Sequence, residues 1–336
     1  MATISLDPRL SYQTGKTHHQ QGAVVEEVEG IIRIYKDGHV ERPPLVPTVS
    51  SSVSPELGVA AKDVVIDRFT NLWARLYVPN RPPGKLPVVV YFHGGGFCVG
   101  SAAWSCYHDF LSNLASKAGA AIVSVNFRLA PENRLPAAYE DGLNAVAWLK
   151  QQAVSGSHEQ AWWSSRCNFS SMFLAGDSAG ANIAHNVAAR LGGGLKPLCL
   201  KGVVLIQPFF GGESRTESEK HAVQPAGSAL TLPASDAYWR LSLPVGANRD
   251  HSWCNPVGKG GTKVGEFGAV LVCVSDMDIL KDRNLEFCAA MAREGKRVEK
   301  VIYRGVGHAF QVLNNSQLSQ ARKGEMMNDI KAFIHR

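Results

Sequence analysis

A serine with a glycine two residues away on either side, Gly176-Asp177-Ser178-Ala179-Gly180, separates an apolar run from a helical pattern. The run, Ser171 to Ala175, is short enough for a buried strand. From Ala179 onward, Ile183, Val187 and Leu191 recur every four residues, which predicts a helix. A strand that passes into a helix through one or two residues must turn sharply. Glycines two positions from the apex remove the side chains that such a turn would force together. This segment therefore demands a buried strand with a helix packed back on it, the unit of an α/β architecture.

The rest of the chain repeats that unit. Strands are expected near 86–92, 119–127, 171–176, 201–207, 268–275 and 298–304, after two earlier ones at 62–67 and 72–78. Helices are expected near 105–117, 137–151, 179–192, 282–294 and 316–334. Such alternation implies a mostly parallel sheet covered on both faces. Residues 1–22 are expected to be disordered. Residues 30–41 suggest a hairpin turning at Lys36-Asp37-Gly38, and Pro43 to Pro55 reads as a Pro/Ser linker. The stretch 209–254 breaks the alternation, with one short helix near 234–241, and reads as an insertion over the strand ends. Together with residues 23–60 it is expected to form a cap on one α/β domain spanning 23–336.

Ser178 at such a turn would stand at a helix N-terminus, where free N–H groups and the dipole favour negative charge. A serine hydroxyl needs a base to become a nucleophile. His308, in Gly307-His308-Ala309-Phe310 after the last expected strand, is the candidate. The base needs a carboxylate to orient it, and Asp276, Asp278 and Asp282 all follow the strand near 268–275. Spacing alone favours Asp278 over Asp276. Upstream, His93-Gly94-Gly95-Gly96 follows the strand 86–92. The N–H groups of Gly94, Gly95 and Ala179 are expected to hold an oxyanion, where losing one donor costs about two to three orders of magnitude in rate. Phe97, Val99, Asp177, Phe210 and Trp239 are candidates for substrate contact, Asp177 leaning towards a structural role. His93 and His185 read as structural or packing residues.

Composition excludes other classes. Hydrophobic residues make up 45% and charged residues 19%, and the net charge of +6 is dispersed without a basic, aromatic-interleaved stretch, so no nucleic-acid partner is expected. No apolar run spans a membrane. Met1 to Gly22 lacks the apolar core of a secretory signal, and a cytoplasmic location is expected. No pair among the seven cysteines has metal-ligand spacing, and neither a metal nor an organic cofactor is expected. The oligomeric state is left open.

These motifs resemble the plant carboxylesterases of the hormone-sensitive-lipase-like group. The likeness is carried by Tyr91-Phe92-His93-Gly94-Gly95-Gly96-Phe97, Phe127-Arg128-Leu129-Ala130-Pro131-Glu132 and Leu135-Pro136-Ala137-Ala138-Tyr139-Glu140-Asp141. It continues through Gly176 to Asn182, Leu243-Pro244 with Gly246-Ala247, and Gly307 to Phe310. The resemblance implies an α/β-hydrolase fold with a central, mostly parallel eight-stranded sheet, an N-terminal cap, and hydrolysis of short-chain esters. It places the acid in an Asp-x-Leu/Met-x-Asp segment, matched by Asp278 to Asp282, and so points to Asp278. Ala181 departs from the glycine of many relatives. Hydroxyisoflavanone dehydratases and alkaloid cyclases resemble the same group, often with threonine for serine. Gibberellin receptors also resemble it but have lost the histidine. Here Ser178 and His308 are both present, which favours hydrolysis.

Overall fold

The computed structural model describes residues 22–155, 158–192, 194–225, 228–258 and 268–336. The expectation of disorder over residues 1–22 thus lies, except for Gly22, outside the described residues. The chain forms two compact units that divide between Pro43 and Pro44.

The first unit is an antiparallel sheet of β1 (Val24–Val28), β2 (Ile32–Tyr35) and β3 (Val40–Glu41), in that order. β2 and β3 are the expected hairpin. Gly38 closes its turn at φ +86°, donating its N–H to Tyr35 O.

The second unit is built on an eight-stranded sheet. Its strands are β4 (Val59–Asp67), β5 (Leu72–Pro79), β6 (Leu86–Phe92), β7 (Ala121–Asn126), β8 (Cys167–Asp177), β9 (Leu200–Ile206), β10 (Ala269–Ser275) and β11 (Val298–Tyr303). Their order is β11-β10-β9-β8-β6-β7-β5-β4. Only the β4–β5 and β5–β7 pairings are antiparallel. The inner strands are apolar throughout because both faces are covered: Val88, Val90 and Phe92 in β6 have no exposed surface. The covering helices are α1 (Ser105–Ala118), α2 (Ala137–Ser155), the single turn α3 (Ala161–Ser164), α4 (Ala179–Arg190), α7 (Lys281–Arg293), the single turn α8 (Phe310–Leu313) and α9 (Gln317–Ile334). α4 is buried from Ala179 through Ala188, and its small residues let it lie close against the strands.

The insertion holds α5 (Glu217–His221) and α6 (Leu232–Ser242). Sequence fixes both starts. Thr216 and Glu219 form a capping box on α5, and the Thr231 side chain accepts from Ala234 N–H with Pro233 in the first turn of α6. α6 packs on the glycine loop: Ser242 Oγ donates to Gly96 O at 3.2 Å, and the Phe97 and Trp239 rings lie 5.5 Å apart.

The Pro/Ser stretch after Pro43 corrects the reading of a plain linker. Val49 N–H donates to Ala103 O, Ser105 N–H donates to Pro47 O, and the buried Arg75 guanidinium donates to Val49 O and Ser50 O while pairing with Asp63. The Arg75 side chain of β5 and the backbone at the start of α1 thus pin this strap, and the sequence of the strap itself does not reveal its partners. Among the described residues no helix is long and apolar enough to cross a membrane, and no cluster of three or more His, Cys, Asp or Glu could hold a metal. All seven cysteines are free thiols, five of them buried.

Candidate active site

Ser178 lies at the apex between β8 and α4 with φ +54° and ψ −120°. That conformation costs a non-glycine residue about 1–3 kcal/mol and persists because its surroundings over-determine it. Ser178 N–H donates to Ile206 O on β9 at 2.8 Å, and Ser178 O accepts from Phe209 N–H at 3.0 Å. The flanking glycines are dictated by contact. A Cβ on Gly180 would stand 2.0 Å from Phe92 O, and one on Gly176 would stand 2.4 Å from the Gly180 carbonyl.

His308 Nε2 faces Ser178 Oγ at 2.9 Å, and His308 Nδ1 faces Asp278 Oδ2 at 2.7 Å. The carboxylate can only accept, so the ring proton sits on Nδ1 and Nε2 is free to accept from the serine hydroxyl. Asp278 is wholly buried, and its other oxygen accepts from Leu280 N–H. Ser178 and His308 are 6% and 7% exposed, so the hydroxyl and imidazole reach solvent only narrowly.

The three aspartates after β10 separate by partner. Asp278 meets the histidine. Asp276 accepts from Gly305 N–H and shapes the turn ahead of it. Asp282 accepts from Ser218 N–H, and its own N–H donates to Ser218 Oγ. Ser218 Oγ also donates to Ile279 O, while Arg283 of α7 pairs with the buried Glu219. The insertion is therefore tied to the segment that carries Asp278.

The glycine loop alters one expectation. Gly94 N–H donates to the Tyr107 hydroxyl at 2.8 Å, which removes it as an oxyanion donor. Tyr107 in turn donates to Asp177 Oδ2, and Tyr91 donates to Asp177 Oδ1. Gly95 adopts φ +115° directly over Val99 O, where a Cβ would come within 2.1 Å. The N–H groups of Gly95, Gly96 and Ala179 have no acceptor among the described residues. His93 stacks on Phe127 at 4.3 Å and bonds Gly94 O, holding the loop from behind; burial drives its imidazole down to about 4 and keeps it neutral.

The five side chains expected at the substrate are all buried. Asp177 is buried, anchoring the glycine loop through the two tyrosines, and burial lifts its carboxyl to about 6 against the lowering effect of their hydroxyls. Phe210 packs its ring on His185 and Phe287, in the core. Val99 braces Gly95, with its N–H donating to Gly95 O. Phe97 and Trp239 are 1% exposed in an aromatic cluster with Phe209, on which Trp239 stacks at 4.6 Å. The described cavity that reaches His308 has a volume of about 240 Å³, and Pro225, Ser228, Ala229, Asn314 and Asn315 contribute to its wall. All five lie in irregular loops, where no strand or helix pattern singles them out.

A family model described as an alpha/beta hydrolase fold matches residues 89–312. A protein named "Probable carboxylesterase 6" from Arabidopsis thaliana is 52% identical, the match covering 94% of this chain and 92% of that one. A 2-hydroxyisoflavanone dehydratase from Glycyrrhiza echinata is 35% identical over 85% of this chain and 89% of its own. Among solved structures, an esterase of Pyrobaculum calidifontis superposes with a TM-score of 0.67 at 28% identity, covering 81% of this chain and 84% of that one. The chain belongs to the α/β-hydrolase family and, within it, to the plant carboxylesterase type. Its enzymatic class is carboxylic ester hydrolase.

Proposed function

We propose that the chain hydrolyses short-chain carboxylic esters through an acyl-enzyme formed on Ser178. The observation that carries this reading is the continuous hydrogen-bonded line Ser178 Oγ, His308, Asp278 at 2.9 and 2.7 Å. Ser178 Oγ attacks the ester carbonyl while His308 Nε2 takes its proton. Asp278 holds the imidazole in the Nδ1–H tautomer and stabilises the imidazolium. Charge developing on the carbonyl oxygen meets the N–H groups of Gly95, Gly96 and Ala179; Gly94 serves by fixing the loop through Tyr107. His308 then protonates the leaving alcohol. Water, deprotonated by the same imidazole, releases the acid. The insertion acts as a cap whose α6 backs the glycine loop. The substrate partner is a small-molecule ester, and no step of this scheme calls on a metal or an organic cofactor.

Likeness to the dehydratase supports a second reading, an elimination run in the same pocket. The serine discriminates. Wild type and Ser178→Ala are assayed on p-nitrophenyl esters from acetate to dodecanoate. The first reading expects turnover that peaks at short chains and falls by about six orders of magnitude in the variant. A folded wild type inactive on every chain length overturns it and directs the search to elimination products.

A further inference from the structure

Gln207 follows β9 and has no exposed surface, yet it is polar and holds φ +46°. Its carboxamide spans two loops. Oε1 accepts from Ala309 N–H at 2.7 Å, and Nε2 donates to Ser275 Oγ at 2.6 Å. The amide orientation follows from chemistry, because a backbone N–H can only donate and must face the oxygen. Ala309 is the residue after His308 and itself holds φ +55°. Ser275 ends β10, and its carbonyl accepts from Asp278 N–H at 3.4 Å. Gln207 N–H donates to Cys273 O, and the preceding Ile206 carbonyl accepts from Ser178 N–H. Two consecutive residues thus touch all three loops: the nucleophile turn through backbone, the acid and base loops through one side chain.

A buried carboxamide is costly unless both ends are bonded, and an apolar residue would fill the same space without that demand. Here both ends are bonded, one to the loop of the acid and the other to the loop of the base. We infer that Gln207 is a positioning residue that sets the separation of the Asp278 and His308 loops, and so keeps the imidazole aligned on Ser178. This inference rests on the Ser178–His308–Asp278 reading above.

The test compares wild type, Gln207→Leu, Gln207→Glu, Ser275→Ala and Ser178→Ala on p-nitrophenyl acetate, with competent sites counted by a fluorophosphonate titrant. Gln207→Leu is expected to lose about 10- to 100-fold in kcat per titrated site with KM within about twofold, as misplacement of a catalytic group does. Gln207→Glu still accepts from Ala309 N–H and still bonds Ser275, so its kcat should return to within about threefold of wild type. Wild-type kcat per site in Gln207→Leu, whatever its melting temperature, would make Gln207 a purely structural residue and overturn the inference. So would a Glu variant as slow as the Leu variant. If Gln207→Leu does not fold, Ser275→Ala decides by releasing one end only: about a 3- to 10-fold loss in kcat supports the inference, and no loss overturns it. Retained turnover in Ser178→Ala is a separate outcome and would strike the underlying triad reading instead.

Discussion

The nucleophile turn and the insertion are both fixed against the end of the same sheet, by different physics. The turn is held by sterics and backbone hydrogen bonds: Gly176 and Gly180 fit because nothing larger does, and Ser178 is strained between Ile206 O and Phe209 N–H. The insertion adds charge to its packing and hydrogen bonds. Arg283 pairs with Glu219 in the interior, and Arg215 and Arg249 share Asp236 nearer the surface. Steric fixation leaves no alternative geometry and is blind to salt. Charge fixation is strong when dry and weak when wet, so its buried and exposed pairs should behave differently. The atoms that must be placed within tenths of an ångström sit in the first regime.

Asp278 stands where the two regimes meet, and after Ser178 its replacement should have the largest consequence. Asp278→Asn is expected to lower kcat by about four orders of magnitude by losing the tautomer-fixing acceptor, with the fold intact by circular dichroism. Asp276→Asn, which can still accept from Gly305 N–H, should cost less than about threefold. A reversed ranking would move the acid to Asp276. Gly180→Ala tests the steric regime, since its Cβ meets the Phe92 carbonyl and cannot be relieved by a rotamer. A loss of about 4 kcal/mol or more in denaturant unfolding is expected. A well-folded, active variant would show that the turn is looser than its contacts require.

Glu219→Gln tests the charge regime. It leaves the buried Arg283 guanidinium only the half-exposed Glu286 at 3.7 Å as counter-charge and should cost about 3 kcal/mol, little relieved by salt. Breaking Arg215–Asp236 at the half-exposed site should cost no more than about 1 kcal/mol and fade at high ionic strength. Equal losses at the two pairs would erase the distinction. A further test concerns His185 on α4, which is buried between Phe210 and Phe287 with neither ring nitrogen bonded among the described residues. Burial lowers its imidazole to about 4, so the stability it contributes is present above pH 6.5 and lost as pH falls towards 4. His185→Leu removes that loss. Relative to wild type it should gain about 2 kcal/mol between pH 7 and pH 4.5, read from urea unfolding at each pH. His93 and Asp177 also titrate in or near this window but are present in both proteins, so the difference isolates His185.

What the sequence disclosed follows the same division. Strands and helices of the sheet were legible because burial on two faces forces continuous apolar runs, as in Leu86 to Phe92. The meeting of Ser178, Asp278 and His308 was legible because each follows a strand that ends on the same edge. Gly94 misled because the fate of its N–H depends on Tyr107, thirteen residues along and on a helix. The proline strap misled for a similar reason, since Arg75 on β5 is what holds it. Phe210 has the composition of a pocket wall, but the neighbours that claim it, His185 and Phe287, come from two different helices. Gln207 belongs to no motif. Its importance lies in two partners 68 and 102 residues away, which only the folded chain brings within reach.

The strain at Ser178 also bears on how such a protein can change over generations. Its backbone there is one that glycine enters more readily than any other residue. A change towards a more stable chain at this position would therefore remove the hydroxyl that the proposed chemistry needs. On the proposed mechanism a serine at this apex trades stability for turnover, and a glycine there would make the fold firmer while discarding the nucleophile.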